Sequence, residues 1–69
     1  MNEIEVRVNG DRRVVPSGLT VEDLLHHLDL QPRLVVVERN GEILRRDSYG
    51  ETPVEERDAL ELVHFVGGG

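Results

Sequence analysis

Two Asn-Gly dipeptides, Asn9-Gly10 and Asn40-Gly41, each follow a stretch rich in β-branched residues. A two-residue hairpin turn needs positive φ at both central positions, which asparagine tolerates and glycine adopts freely, and its twist matches that of the flanking strands. Each dipeptide therefore predicts an antiparallel hairpin. Ahead of the first, Ile4, Val6 and Val8 alternate with Glu3, Glu5 and Arg7, the period of a strand with one buried and one wet face. The return strand, Arg12 to Pro16, carries Val14 and Val15. Pro16 lacks an N–H for the ladder, which places this strand at a sheet edge or ends it there. Ahead of the second turn, Leu34-Val35-Val36-Val37 is apolar on both faces, as expected of a strand covered on both sides. Glu42-Ile43-Leu44 completes the second hairpin.

Between the hairpins, Ser17-Gly18 breaks the strand pattern and Thr20 is placed to cap a helix by accepting from the backbone N–H near Asp23. Leu19 and Leu24 have the spacing of a hydrophobic staple. Leu24, Leu25 and Leu28 share a helical face, and Glu22 and Asp23 lie at the positive end of the helix dipole. Gln31-Pro32 ends the helical region. Arg45 to Asp58 has little periodicity and reads as a surface connection with one short turn, Glu55-Glu56-Arg57-Asp58 being a solvated loop. A last strand runs from about Ala59 to Val66. One helix must cover one face of the sheet, giving a two-layer α+β domain. The chain has 69 residues and no cysteine. A domain of this size buries roughly 60% of its unfolded surface, and without disulfides or thiolate-bound metal its stability must come from an apolar core.

The net charge of −6 disfavours nucleic acid, whose binding depends on neutralising phosphates. An acidic surface fits solubility or a basic protein partner. All eight basic residues are arginines, so the chain offers no lysine amine for building branched polymers of itself. Met1 to Glu5 is acidic where a signal peptide would be basic, and no apolar run has membrane-spanning length. A soluble cytoplasmic protein, with no membrane and no nucleic-acid partner, is expected. His26 and His27 point to different faces of the helix, and His64 lies on the last strand. No further ligands at suitable spacing make a metal site of them. No glycine-rich phosphate loop precedes a helix. The expectation is that the chain is not an enzyme by itself.

The end of the sequence has a pattern of its own. On the last strand Leu60, Leu62, His64 and Val66 share one face, and Ala59, Glu61, Val63 and Phe65 the other. With a single helix available, apolar side chains on the uncovered face form a patch suited to docking. Phe65 fits either core or interface. Gly67-Gly68-Gly69 follows directly. Glycine has no Cβ, so such a tail can thread a narrow channel and present a carboxyl to chemistry in a partner. Extended, three residues reach about 10 Å. A frayed terminus fits the glycines equally well.

The chain resembles the ThiS family, the thiamine-biosynthesis sulfur carriers among the ubiquitin-like β-grasp proteins. The resemblance rests on Asn9-Gly10, Thr20-Val21-Glu22-Asp23-Leu24-Leu25, Val35-Val36-Val37-Glu38-Arg39-Asn40-Gly41-Glu42-Ile43 and Leu60 through Gly69, and it covers nearly the whole chain. It implies a β-grasp fold, a mixed sheet of about five strands with one main helix on one face. It divides the chain into a β-grasp domain over residues 1–66 and a flexible glycine tail over 67–69. It also implies that Gly69 is adenylated by a ubiquitin-activating-like, ThiF-like partner using ATP and magnesium, the carrier itself binding no cofactor. Sulfur derived from cysteine then converts Gly69 to a thiocarboxylate, and a ThiG-like thiazole synthase consumes that sulfur. In this reading Gly67 and Gly68 enter the partners, and Phe65 and Val66 help dock the sheet. A carrier for molybdopterin synthesis or tRNA thiolation, a ubiquitin-like protein modifier, and a non-activated ubiquitin-like interaction module are the alternatives.

Overall fold

In a computed structural model that describes residues 2–65, both Asn-Gly turns form. Strands β1 (Glu3–Val8) and β2 (Asp11–Pro16) pair antiparallel with Ile4 opposite Val15 and Val6 opposite Arg13. Asn9 and Gly10 have φ of 52° and 88°, the signature of the turn type that Asn-Gly favours. Strands β3 (Val35–Arg39) and β4 (Glu42–Ile43) pair around Asn40 and Gly41, at φ 51° and 88°. The last strand, β5 (Ala59–His64), inserts between the hairpins, so the sheet order is β2-β1-β5-β3-β4. β5 runs parallel to β1 and antiparallel to β3, which makes the sheet mixed. β2 lies at an edge, as Pro16 requires.

Helix α1 (Val21–His27) starts with a complete capping box: Asp23 N–H donates to Thr20 Oγ1 and Thr20 N–H donates to Asp23 Oδ2, both at 3.1 Å. The helix stops before the expected Gln31-Pro32 boundary. Leu30 N–H reaches back to the Leu25 carbonyl at 2.8 Å and Asp29 N–H to that of His26 at 3.0 Å, a Schellman closure. It requires a left-handed residue, and Asp29, at φ 64°, occupies the place where glycine is the usual signal. Pro32 instead opens a 3-10 turn, Pro32–Leu34, which takes Leu34 out of the strand it was expected to begin.

Val21, Leu24 and Leu25 of the helix pack on Val6, Val8, Val15, Val35, Val37, Leu60 and Leu62 of the sheet, with Leu19, Leu28 and Leu30 partly buried around them. The helix covers this face alone. Val35 and Val37 are buried and Val36 half-buried, so the expectation that both faces of this strand are covered holds on the helix side.

The segment from Arg45 to Asp58 is more than a surface connection. Beyond a 3-10 turn at Arg46–Ser48, Tyr49 and Val54 enter the core. The Tyr49 hydroxyl donates to the Val35 carbonyl at 2.8 Å and accepts from Val37 N–H at 3.2 Å, supplying β3 with partners that the two-residue β4 is too short to provide. Asp58, expected in a solvated loop, is buried. Its carboxylate accepts from Arg39 Nε at 3.0 Å, Glu55 N–H at 2.8 Å and Asn40 Nδ2 at 3.1 Å. Core residues set singly in an irregular segment leave no period to read.

Burial raises the Asp58 pKa, but the hydrogen bonds from Glu55, Asn40 and Arg39 and the nearby Arg39 charge outweigh it and hold the pKa below 3.8. On acidification the unfolded chain takes up this proton before the folded one. The stabilisation is therefore complete above the unfolded pKa, about 3.9, and is lost as pH falls through the folded value. Asp58→Asn is expected to lower stability at pH 7 by about 2 kcal/mol and to flatten the fall in stability below about pH 4. Denaturant melts of both proteins across pH check the two effects separately.

Candidate functional site: the open sheet face and the end of the last strand

Alternation along β5 sends Leu60 and Leu62 under the helix and Ala59, Glu61 and Val63 to the other side. On that open face Val63 lies opposite Val36, while Glu61 and Ile43 both lie opposite Glu38. Val63, Ile43 and Phe65 are 53%, 74% and 55% exposed, so an apolar strip edged by carboxylates faces solvent beside the end of β5. Phe65 is surface rather than core. Its backbone is nonetheless held, because its N–H donates to the Leu34 carbonyl at 2.8 Å, although regular strand ends at His64. Val66, Gly67, Gly68 and Gly69, with the boundary between domain and tail, lie outside the described residues.

Two asparagines that the sequence marks as turn residues also clamp this strand. β1 pairs with β5 only at Arg7 with Ala59 and Val8 with Leu60. Past the end of β1 the ladder continues through Asn9: its N–H donates to the Leu60 carbonyl at 2.8 Å, Leu62 N–H donates to its Oδ1 at 2.7 Å, and its Nδ2 donates to the Leu62 carbonyl at 3.2 Å. The side-chain amide thus acts as one more peptide unit. On the opposite edge Asn40 N–H donates to the Ala59 carbonyl at 2.8 Å and Asn40 Oδ1 accepts from Ala59 N–H at 2.9 Å. Asparagine in a turn is its own sufficient explanation in the sequence, so this second use has no local signal.

The histidines remain apart from this strip. His26 is exposed and lies 3.9 Å from Glu22, whereas His27 and His64 line a groove of about 460 Å³ on the helix side, with Arg13, Leu28 and Leu62. Among the described residues no three His, Asp or Glu side chains converge as a metal-holding group. Among the described residues no helix is long and apolar enough to cross a membrane.

Five strands in this order, with one helix across one face and an open face leading to the final residues, define a ubiquitin-like β-grasp domain. Residues 3–69 match the model of the ThiS family, and the chain belongs to that family. It is 48% identical over 50 residues to the sulfur carrier protein ThiS of Bacillus subtilis, covering 72% of this chain and 76% of that protein. The crystal structure of the thiamine biosynthesis protein ThiS from Geobacter metallireducens superposes with a TM-score of 0.80 at 39% identity, covering 96% of this chain and 100% of that one. A thiazole synthase of Magnetococcus marinus is 39% identical over 66 residues, or 96% of this chain. One from Paramagnetospirillum magneticum is 45% identical over 62 residues, or 90%. The chain spans 20% and 19% of the length of these two synthases.

Asn9→Gly isolates the clamp, since glycine keeps the positive φ of the turn. The expected cost is about 1–2 kcal/mol, with faster amide hydrogen exchange at Leu62 than at Val37 when each is compared with the parent chain. Equal exchange changes at both amides would mean that the side chain contributes to global stability alone.

Proposed function

We propose that this chain is a sulfur carrier of thiamine biosynthesis, with the carboxyl of Gly69 as the working group. The match to the ThiS family, which extends through Gly69, carries the reading. A carboxylate is a poor electrophile because its oxygen leaves badly. Attack by the Gly69 carboxylate on the α-phosphate of ATP, catalysed with magnesium by a ThiF-like adenylating partner, releases pyrophosphate and gives an acyl adenylate. Sulfide derived from cysteine then attacks the acyl carbon, displaces AMP and leaves a thiocarboxylate. A ThiG-like thiazole synthase takes that sulfur, and the carboxylate returns. The two thiazole synthases that contain a stretch similar to this chain support such an enzyme as the consumer.

The division of labour follows from what each part offers. The carrier contributes a firmly held strand, an exposed apolar face and small terminal residues. The reactive machinery belongs to the partners. Gly67 and Gly68 admit the terminus to both active sites, and Phe65 with Val66 contributes to docking. ATP and the thiol pools that feed such a cycle place it in the cytoplasm.

Intact-mass measurement after incubation with the adenylating partner, ATP, magnesium and a cysteine-derived sulfur source is expected to show one terminal oxygen replaced by sulfur. Deleting Gly69, or making Gly68→Leu, should abolish that product with the circular dichroism unchanged. Normal loading of either variant would overturn the reading. Phe65→Ala should change the unfolding free energy by at most about 0.5 kcal/mol while raising the KM for loading, because the ring is exposed in the free carrier.

A further inference from the structure

At the other end of the open sheet face, two energetically unfavourable arrangements meet. Arg7 and Arg12 are directly opposite each other across the β1–β2 pair, and like charges in register repel. Arg57 has φ 70°, in the left-handed region that a side chain without a local carboxamide or carboxylate rarely adopts. All three arginines line one depression of about 450 Å³, together with Glu5, Val6 and Glu56. Glu5 engages Arg12, with Oε2 3.0 Å from Nε. Among the described residues, neither Arg7 nor Arg57 forms an ion pair.

The backbone beneath is fixed. Arg57 N–H donates to the Glu5 carbonyl at 2.7 Å, Arg7 N–H to the Asp58 carbonyl at 2.9 Å, and Glu5 N–H to Glu56 Oε2 at 3.3 Å. Three guanidinium groups are therefore gathered against two carboxylates on a chain whose net charge is −6.

We propose that this depression receives the carboxylate side chains of an acidic segment on a protein that docks across the open sheet face. The proposal rests on the reading that this face engages partners. A guanidinium matches a carboxylate through two parallel hydrogen bonds, and two such forks are left without a carboxylate here. The flanking Glu5 and Glu56 and the overall negative charge repel an extended polyanion such as nucleic acid. Arg7 also neighbours Ala59 on β5, and Val14, opposite Glu5, is 62% exposed. The basic depression is thus continuous with apolar surface. A partner that fits carries an apolar contact for Val63 and Phe65 and acidic residues for the arginine end, which fixes its orientation on the sheet.

The test compares the parent chain with Arg7→Gln/Arg57→Gly by calorimetric titration against the adenylating partner and the thiazole synthase of the same organism, at low and high salt. Glycine suits the left-handed position and glutamine removes the repulsion with Arg12, so the double variant is expected to fold with a melting temperature equal to or above that of the parent. Its Kd for at least one partner should rise about tenfold or more at low salt, with a weaker dependence on salt. Parent-like affinity and salt dependence toward both partners would overturn this proposal alone. No binding of the parent chain to either partner would overturn this proposal and the carrier reading together. Inorganic phosphate that perturbs the Arg7 and Arg57 resonances, with partner affinity unaltered in the double variant, would identify a small-anion site and reject the acidic segment.

Discussion

The domain depends on seating its last strand at the centre of the sheet. A central strand needs partners along both edges, and β5 meets β1 directly at just two residue pairs. The rest of that edge is completed by other means. Asn9 extends it beyond Val8, while the contacts of Arg57 with Glu5 and of Arg7 with Asp58 extend it in the other direction. On the facing edge β3 supplies five opposed pairs, from Val35 with His64 to Arg39 with Leu60. Leu60 and Leu62 can then be buried beneath Leu24 and Leu25. Without the central strand the two hairpins would share no hydrogen-bonded edge, and an isolated hairpin is marginal in water.

This arrangement separates a packed face from an open one. The helix-covered face contains the close-packed leucines and valines, and the opposite face leaves Val63, Phe65 and Ile43 in contact with water. A small domain with one helix cannot cover both faces of its sheet. The uncovered face can vary in side-chain identity without disturbing the packing on the other side. Phe65 shows the principle in one residue: its amide is bonded to Leu34 while its ring remains exposed, so an apolar side chain is presented to solvent from a fixed backbone.

Local chemistry was legible in the sequence. The Asn-Gly turns, the Thr20–Asp23 cap and the edge position of Pro16 each depend on a few neighbouring residues, and alternation along the last strand assigned Phe65 to its face. Non-local uses of side chains were not legible. Tyr49 completes β3 from fourteen residues away, and Asp58 gathers donors from Arg39, Asn40 and Glu55. Nothing in the charge run Glu55-Glu56-Arg57-Asp58 distinguishes its buried carboxylate from its exposed ones. Family resemblance implied a mixed sheet of about five strands, but the insertion of β5 between the hairpins came only with the structure, because hydrophobic period specifies faces and not neighbours. The exposure of Phe65 likewise required knowing where the helix lies.

The two clamps differ in how they respond to acid. Asn40 joins Asp58 to Ala59, donating through Nδ2 to the carboxylate and accepting through Oδ1 from the strand amide. Protonation of Asp58 therefore acts at the first residue of β5. Asn9 holds Leu62, farther along the strand, with an amide that has no ionisation in this range. Acid thus loosens the entry of the strand through a titrating network, while the bond nearer its end retains donor and acceptor. Val63 stays paired with Val36 beside a clamp that does not titrate in this range, whereas the entry of the strand is tied to the ionisation of Asp58.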